Sequence, residues 1–438
     1  MRPALEKPLW WQPISKLLNL RRLTYALITG GALWVTWLVS ISFGPGNMDL
    51  ANQVIGTDYI QFYASGITLR QGAVDRLYDF DYQSQLELEI AGPELNNFHA
   101  NLTPPFFAWL FAPLSAFPYI LSFAIWSTLS LVGLFVSLHF LGVKNTWHTY
   151  LWTLCWFPIF ATISFGQNSI IVLLALSTAF ILLKRKHTYL SGLVASLALF
   201  KPQLIIGISI VWLVGWRKDW RALLGLATGG SILTGLSFSL LPEASRDYVQ
   251  LVTQFLPKMI YQEQFPLYHL HALRGFWVLL FPGREWFAEL LSILLTLTAL
   301  GFFIRFLKNN REHQPLCYAS AIAFTILVTP HAMIYDWVLL LIPAVILWQT
   351  YPELVNYWRV IFAILWLGTL VSGPITYLQQ RILPVAIQIS VPIFILLLID
   401  ISSAIKPSFS AGTQRMACSV VDKSSVADKH QGSIIHKD

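Results

Sequence analysis

Long apolar runs, separated by short polar clusters, repeat along this chain from residue 23 to residue 400. A bilayer span needs roughly 17 to 25 mostly apolar residues. The pattern predicts helical crossings near 23–43, 119–141, 147–165, 168–183, 188–200, 203–216, 221–241, 286–306, 316–330, 334–351, 358–377 and 383–400. Several are only about 13 to 16 residues long and fall short of the roughly 30 Å hydrocarbon core at 1.5 Å per residue. Such helices thin the bilayer or line a cavity. The apolar stretch 105–117 is a re-entrant or interfacial segment by parity. The predicted class is all-α, a polytopic membrane protein with about twelve transmembrane helices. A β-barrel is excluded, because its segments run about ten residues and alternate apolar with polar.

One interruption is much longer than the rest. Residues 44–101 hold eight carboxylates, Asp49, Asp58, Asp75, Asp79, Asp81, Glu87, Glu89 and Glu94, against two cations, Arg70 and Arg76. A second long interruption covers 242–285. Residues 402–438 are Ser- and Lys-rich and read as a disordered tail.

Charge placement orients the chain. Hydrophobic residues make up 55% and charged residues 12% of the 438 residues, with a mean hydropathy of +0.59. Soluble domains carry about 25% charged residues. Cytoplasmic loops collect Lys and Arg. Cations cluster at Arg2, Lys7, Lys16, Arg21 and Arg22, at Lys184–Lys186, at Arg217, Lys218 and Arg221, at Arg305, Lys308 and Arg311, and in the tail. Placing these inside with Lys144 and Arg359 makes 21 of the 29 Lys and Arg cytoplasmic. Residues 1–22 and the tail are then cytoplasmic, and residues 23–401 form one membrane domain. The loops 44–101 and 242–285 lie outside. The charged start is followed by a full-length span and no cleavage site, so no cleavable signal is expected. The net charge of +7 is spread along span ends, which argues for topology and against nucleic acid as a partner. The three cysteines, Cys155, Cys317 and Cys418, have no zinc or disulfide spacing.

With that orientation the polar tips Gly166-Gln167-Asn168, Lys201-Pro202, Thr329-Pro330-His331 and Ser372-Gly373-Pro374 all face the side of the acidic loop. Asp58 lies about fifteen residues past the first span and opens Asp58-Tyr59-Ile60-Gln61-Phe62-Tyr63, a short helix expected to lie at the membrane interface. A carboxylate there can take a proton from a sugar hydroxyl. Lys201 interrupts an apolar hairpin. An isolated Lys in a span costs about 2.5 to 3.5 kcal/mol on insertion scales, so it needs an anionic partner, for which a phosphate serves. Gln167 and Asn168 can bind sugar hydroxyls or simply cap a turn. His331 can orient a substrate or phosphate. His269, His271 and Arg274 form a small cationic group. Tyr78-Asp79-Phe80-Asp81 offers either a divalent-metal pair at Asp79 and Asp81 or a helix N-cap. No cofactor is expected beyond that opening. There is no Gly-x-Gly-x-x-Gly and no P-loop, and no soluble domain large enough for a nucleotide. A donor must therefore arrive within the membrane.

Taken in order, Asp58-Tyr59 with Phe62-Tyr63, Gly72 with Tyr78-Asp79, Thr103-Pro104-Pro105, Gly166-Gln167-Asn168, Gly192, Lys201-Pro202, Arg217-Lys218-Asp219-Trp220-Arg221, and Thr329-Pro330-His331 with Tyr335-Asp336-Trp337 resemble glycosyltransferase family 87 of the GT-C superfamily. The resemblance runs from about residue 23 to residue 348. Thr103 departs from the family, where an aromatic residue often precedes the Pro-Pro pair. The resemblance implies a bacterial inner-membrane enzyme with its site on the extracytoplasmic side. It implies transfer of a hexose, mannose in particular, from a polyprenyl-phosphate donor to a glycan or glycolipid acceptor, with inversion. Asp58 then acts as the base, and His331, Lys201 and Arg274 meet the departing phosphate, while Tyr59, Tyr63, Gln167 and Asn168 touch the substrates. A lipid-linked sugar flippase and a diphosphate-linked glycan ligase or polymerase are the competing readings.

Overall fold

The computed structural model describes residues 10–144, 146–262 and 265–404. Within them the chain is helical, with no strand beyond the isolated bridges Met48–Val54 and Leu270–Met333. The expected disordered tail lies outside the described residues from 405 onward, as do Arg2 and Lys7.

A helix occupies each of the twelve predicted segments. Five are long and apolar enough to cross a bilayer: Leu20–Phe43, Tyr119–Phe140, Trp216–Leu240, Glu285–Asn309 and Pro352–Ile382. The others are short. Ser169–Lys184 has 16 residues, about 24 Å at 1.5 Å per residue. Residues 147–165 are not one helix but two, Trp147–Leu154 and Phe157–Ser164. The break falls at Trp156, which is extended, because Pro158 has no N–H for the Leu154 carbonyl and its ring would clash with that carbonyl in a continuous helix. The stretch 105–117 forms only the four-residue helix Pro105–Ala108 and a 3-10 turn, Leu114–Ala116, too short to cross. Phe107 and Phe111 anchor it to Phe62 and Phe200.

Three sequence expectations need correction. Ser372, Gly373 and Pro374 are not a loop tip. They lie inside the helix Val355–Ile382, whose backbone continues past the proline. Ser372 Oγ there hydrogen-bonds Ser390 Oγ at 3.2 Å. The interruption 242–285 is not an open loop either: it contains the helices Pro242–Gln250 and Leu273–Leu280. Finally, the helix after Asp58, Tyr59–Arg70, does not lie on the membrane with its aromatics outward. Tyr59, Ile60, Phe62, Tyr63 and Ala64 are buried. The rings of Tyr59, Phe62 and Tyr63 pack against Phe111, Tyr119, Phe123 and Trp126, which removes more apolar area from water than an interfacial position would.

The bundle is tight where small residues let backbones meet, the usual device in lipid. Gly192 of Thr188–Ala195 abuts Ala222 of Trp216–Leu240, and Gly225 abuts Tyr189, so any side chain at either glycine would strike backbone. At the other end of Phe157–Ser164, Gly166 turns the chain with φ +66. A Cβ at Gly166 would sit 2.6 Å from Tyr59 Cβ. This turn receives the acidic loop: the Asp58 N–H donates to Phe165 O at 2.9 Å, and Trp126 Nε1–H donates to Gly166 O at 2.9 Å.

Gly166→Ala therefore combines a left-handed residue with a steric overlap. It is expected to cost about 1 to 3 kcal/mol, read as a lowered midpoint of thermal unfolding in detergent. An unchanged midpoint would show that this turn is not strained.

Candidate active site

The residues around that turn open onto a cavity of about 1290 Å³. Its wall draws on every polar tip that the sequence placed together except the one at 372–374. Asp58, Gln167, Asn168, Lys201, His269, Arg274, His331 and Asp336 all line it. A smaller hollow of about 420 Å³ against Leu20–Phe43 carries only Asp49 as a charged group. That carboxylate is already used by the N–H groups of Ala51 and Gln53.

One side of the large cavity is a chain of polar contacts. Asp58 occupies the N-cap position of Tyr59–Arg70, yet its side chain caps nothing. Its Oδ2 instead accepts from Gln167 Nε2 at 2.7 Å. Gln167 Oε1 accepts from Lys201 Nζ at 3.5 Å. Lys201 Nζ also donates to Ser169 Oγ at 3.1 Å and pairs with Asp336 Oδ1 at 2.9 Å. Ser169 Oγ–H donates to the same Asp336 oxygen at 2.6 Å, and Asp336 Oδ2 accepts the Met333 N–H at 3.1 Å. The ammonium further lies 4.8 Å from the Tyr335 ring centroid. Lys201 has only hydrogens to offer, so the oxygen of the Gln167 amide turns to it and the NH2 turns to Asp58. Burial pushes the Asp58 carboxyl above its ordinary range, while His99, the Gln167 N–H and Lys201 oppose that rise.

The other side is a cationic corner. Arg274 Nε donates to Glu289 Oε1 at 2.7 Å, Nη2 to Pro257 O at 2.8 Å, and Nη1 to His331 Nε2 at 3.4 Å. The Tyr261 hydroxyl donates to the same Glu289 oxygen at 2.6 Å. Burial, and then Arg274, lower the His331 imidazole to about 4. It is a neutral acceptor through Nε2 and keeps its proton on Nδ1. The expected cationic cluster thus shrinks to Arg274, because burial also lowers His269 to about 4 and His271 to about 3.

Glu289 belongs to Glu285–Asn309, and the cavity continues down that helix past Ser292, Ile293, Thr296 and Leu297. These recur at i, i+1, i+4 and i+5, one face of the helix. Leu297 is 58% exposed and Ile293 56%. The cavity therefore opens sideways along an apolar helix, more than two turns below the Arg274 corner.

A family comparison fits this arrangement. The model of glycosyltransferase family 87 matches residues 101–330, just over half of the chain. The chain belongs to glycosyltransferase family 87. No curated protein and no solved structure matches it. The matched region of this glycosyltransferase contains Gln167, Asn168, Lys201 and Arg274, whereas Asp58 and His331 lie on either side of it.

Not every expected site residue reaches the cavity of the glycosyltransferase. Tyr59 is fully buried, with its hydroxyl on Ser122 Oγ at 2.6 Å, and the Tyr63 hydroxyl donates to Phe117 O at 2.8 Å. Both belong to the aromatic core and neither lines the cavity. Asp79 accepts from the N–H groups of Asp81 and Tyr82 at 3.1 and 3.2 Å and so caps the helix Phe80–Ala91. Lys201, for which a phosphate was expected, has a protein carboxylate as its partner. Asn168 is 1% exposed, and neither amide atom has a protein partner among the described residues. Its free donor and acceptor suit a hydroxyl-bearing ligand.

Sequence reasoning missed Ser169, Glu289 and His99. Ser169 and Glu289 sit in apolar helices and carry no motif. His99 is the one histidine in a loop of eight carboxylates, and that contrast was the available signal.

Two outcomes follow from these charges. Lys201→Met strands a carboxylate that is 2% exposed and should cost about 3 to 5 kcal/mol. Adding Asp336→Leu should recover most of that loss, and a double variant no more stable than the single one would refute the pairing. The neutral histidines also set an acid limit. Their folded values lie below the ordinary 6.5, so the unfolded chain binds more protons and stability falls as pH drops from about 6.5 toward 4. His269→Gln should flatten that decline in pH-dependent unfolding. An unaltered decline would mean that His269 is not buried neutral.

Proposed function

We propose that this glycosyltransferase moves one hexose, with mannose the first candidate, from a polyprenyl-phosphate donor to a glycan or glycolipid acceptor, with inversion at the anomeric carbon. The observation that carries the reading is the single cavity that joins a half-buried carboxylate, an Arg–His corner and a lateral opening along a spanning helix. In this reading the chain crosses the membrane twelve times, both ends are cytoplasmic, and the cavity faces the extracytoplasmic side.

The lateral opening suits an isoprenoid chain. Its apolar tail would lie along Ile293 and Leu297, beside a Ser292 hydroxyl already bonded to Ala288 O at 2.8 Å, while the phosphate stops at Arg274 and His331. Arg274 brings a planar set of donors that matches phosphate oxygens, and the His331 Nδ1–H adds one more. Asn168 would read a sugar hydroxyl. At the far wall, Asp58 takes the proton of the acceptor hydroxyl. That oxygen then forms its bond to the anomeric carbon from the side opposite the phosphate. The carbon–oxygen bond to phosphate breaks with its electron pair, and polyprenyl phosphate leaves. Charge builds on the phosphate, where fixed donors count most. Lys201 stays with Asp336 throughout and holds Gln167 in place.

Asp58→Asn keeps the shape and removes the base. In membranes supplied with a radiolabelled polyprenyl-phosphate mannose and cell-envelope acceptor, it should lower transfer by about a hundred- to ten-thousand-fold at equal expression. Turnover within a few-fold of wild type would remove Asp58 from this role. Arg274→Gln should instead weaken donor use, seen as a raised KM for the donor, and an effect on the acceptor alone would place the phosphate elsewhere.

A further inference from the structure

Glu87 is the most deeply buried carboxylate among the described residues, at 0% exposure on the helix Phe80–Ala91. An isolated buried charge is costly unless it is paired. Its Oε2 accepts the backbone N–H of His99 at 2.9 Å and stands 3.8 Å from His99 Nδ1. Its Oε1 has no partner. Among the described residues the basic group paired with Glu87 is His99. The same imidazole lines the cavity together with Asp58. One histidine therefore has a buried carboxylate beside it and shares the cavity wall with Asp58.

We infer that Glu87 holds His99 as a cation facing Asp58, and that this counter-ion keeps Asp58 ionised inside the cavity. This rests on the reading of Asp58 as the base, and it makes His99 and Glu87 positioning residues. The charge is needed because the other cation that acts on Asp58, Lys201, is held by Asp336 at 2.9 Å. The other neighbours bring no positive charge: Tyr335 and Tyr119 are neutral, and the carboxylates Asp336 and Glu87 repel an ionised Asp58. Gln167 supplies a neutral N–H. Both cations near Asp58 have a carboxylate partner, but Lys201 touches Asp336 at 2.9 Å whereas the His99 imidazole stands 3.8 Å from Glu87 and lines the cavity with Asp58. The direction of its own ionisation agrees: burial opposes its charge, but Glu87 and Asp58 outweigh burial and raise it above the usual imidazole value.

The sign of the effect follows. With His99 charged, the ionised form of Asp58 is favoured; without it, Asp58 takes up a proton at a higher pH. An opposite charge nearby is worth about one pH unit or more.

The test follows Asp58 itself in the purified full-length protein, by infrared difference titration of the protonated-carboxyl band that disappears in Asp58→Asn. His99→Asn should move the Asp58 midpoint up by about one pH unit. His99→Lys, which keeps a cation there, should bring it back. Glu87→Gln should move it upward as well, because the imidazole loses the partner that keeps it charged. A midpoint unmoved in His99→Asn, or unmoved by the return of charge in His99→Lys, would overturn the inference. A downward shift in Glu87→Gln would mean that Glu87 acts on Asp58 by direct repulsion and not through His99. Size-exclusion elution checks folding, and His99→Gln replaces His99→Asn should the latter fail to fold. The readout needs no turnover, so it separates two failures. Full transfer activity in Asp58→Asn sinks the proposed function, whereas an unmoved midpoint beside an inactive Asp58→Asn sinks only the counter-ion.

Discussion

A lysine and an aspartate from distant parts of the chain meet inside an apolar bundle, and the rest of the site is arranged around that contact. Lys201 precedes one short helical segment, Pro202–Ile205, and Asp336 lies in the first turn of another, 135 positions later, and they pair at 2.9 Å. Neither charge would be tolerable alone at that depth. Together they tie the turns at 166–169, 201–203 and 333–336 into one wall. The pairing also has a direction. Because Lys201 only donates, Gln167 must present its oxygen to it and its NH2 to Asp58. A buried ion pair thereby fixes the polarity of a hydrogen bond two residues away, and that bond holds Asp58 as an acceptor at the cavity surface.

This economy of charge explains why the cavity is balanced rather than strongly positive. Lys201 is matched by Asp336, Arg274 by Glu289, and His99 by Glu87. His269 and His331 are neutral because water is scarce around them. Under the proposed function a donor phosphate need only compete with Glu289, which is the most exposed of the three acidic partners at 31%. The Arg274 corner is thus where an incoming anion meets the most exposed of the resident acids. The opening beside it runs along Glu285–Asn309, so tail and phosphate would enter by the same route.

Much of this was legible in the pattern of residues, because in lipid the physics is restrictive. Backbone groups must be satisfied within each segment, so apolar runs could be read directly as helices, and a helix lies in each predicted segment. The convergence of Gly166–Asn168, Lys201 and His331 followed from charge placement and alternation of sides. Partners were harder to read. Lys201 demanded an anion, but nothing in its neighbourhood pointed to Asp336. Serine, threonine and glycine at 372–376 look alike in a loop and in a helix whose hydroxyls bond their own backbone, as Thr376 does to Ser372 O at 2.7 Å. Tyr59 and Tyr63 were assigned to the membrane interface because aromatics favour it, yet an aromatic-rich core was available to bury them. The charge state of His269 and His271 depended on burial, which spacing does not reveal.

The account stands or falls on whether a lipid phosphate reaches the cavity that holds Asp58. A photoreactive polyprenyl phosphate, irradiated with the protein in nanodiscs and mapped by peptide mass spectrometry, tests this directly. Adducts on the 292–297 face of Glu285–Asn309, suppressed by excess polyprenyl phosphate, are expected. Suppressible adducts confined to Leu20–Phe43 or to the helix ends near Lys184 and Arg217 would contradict it.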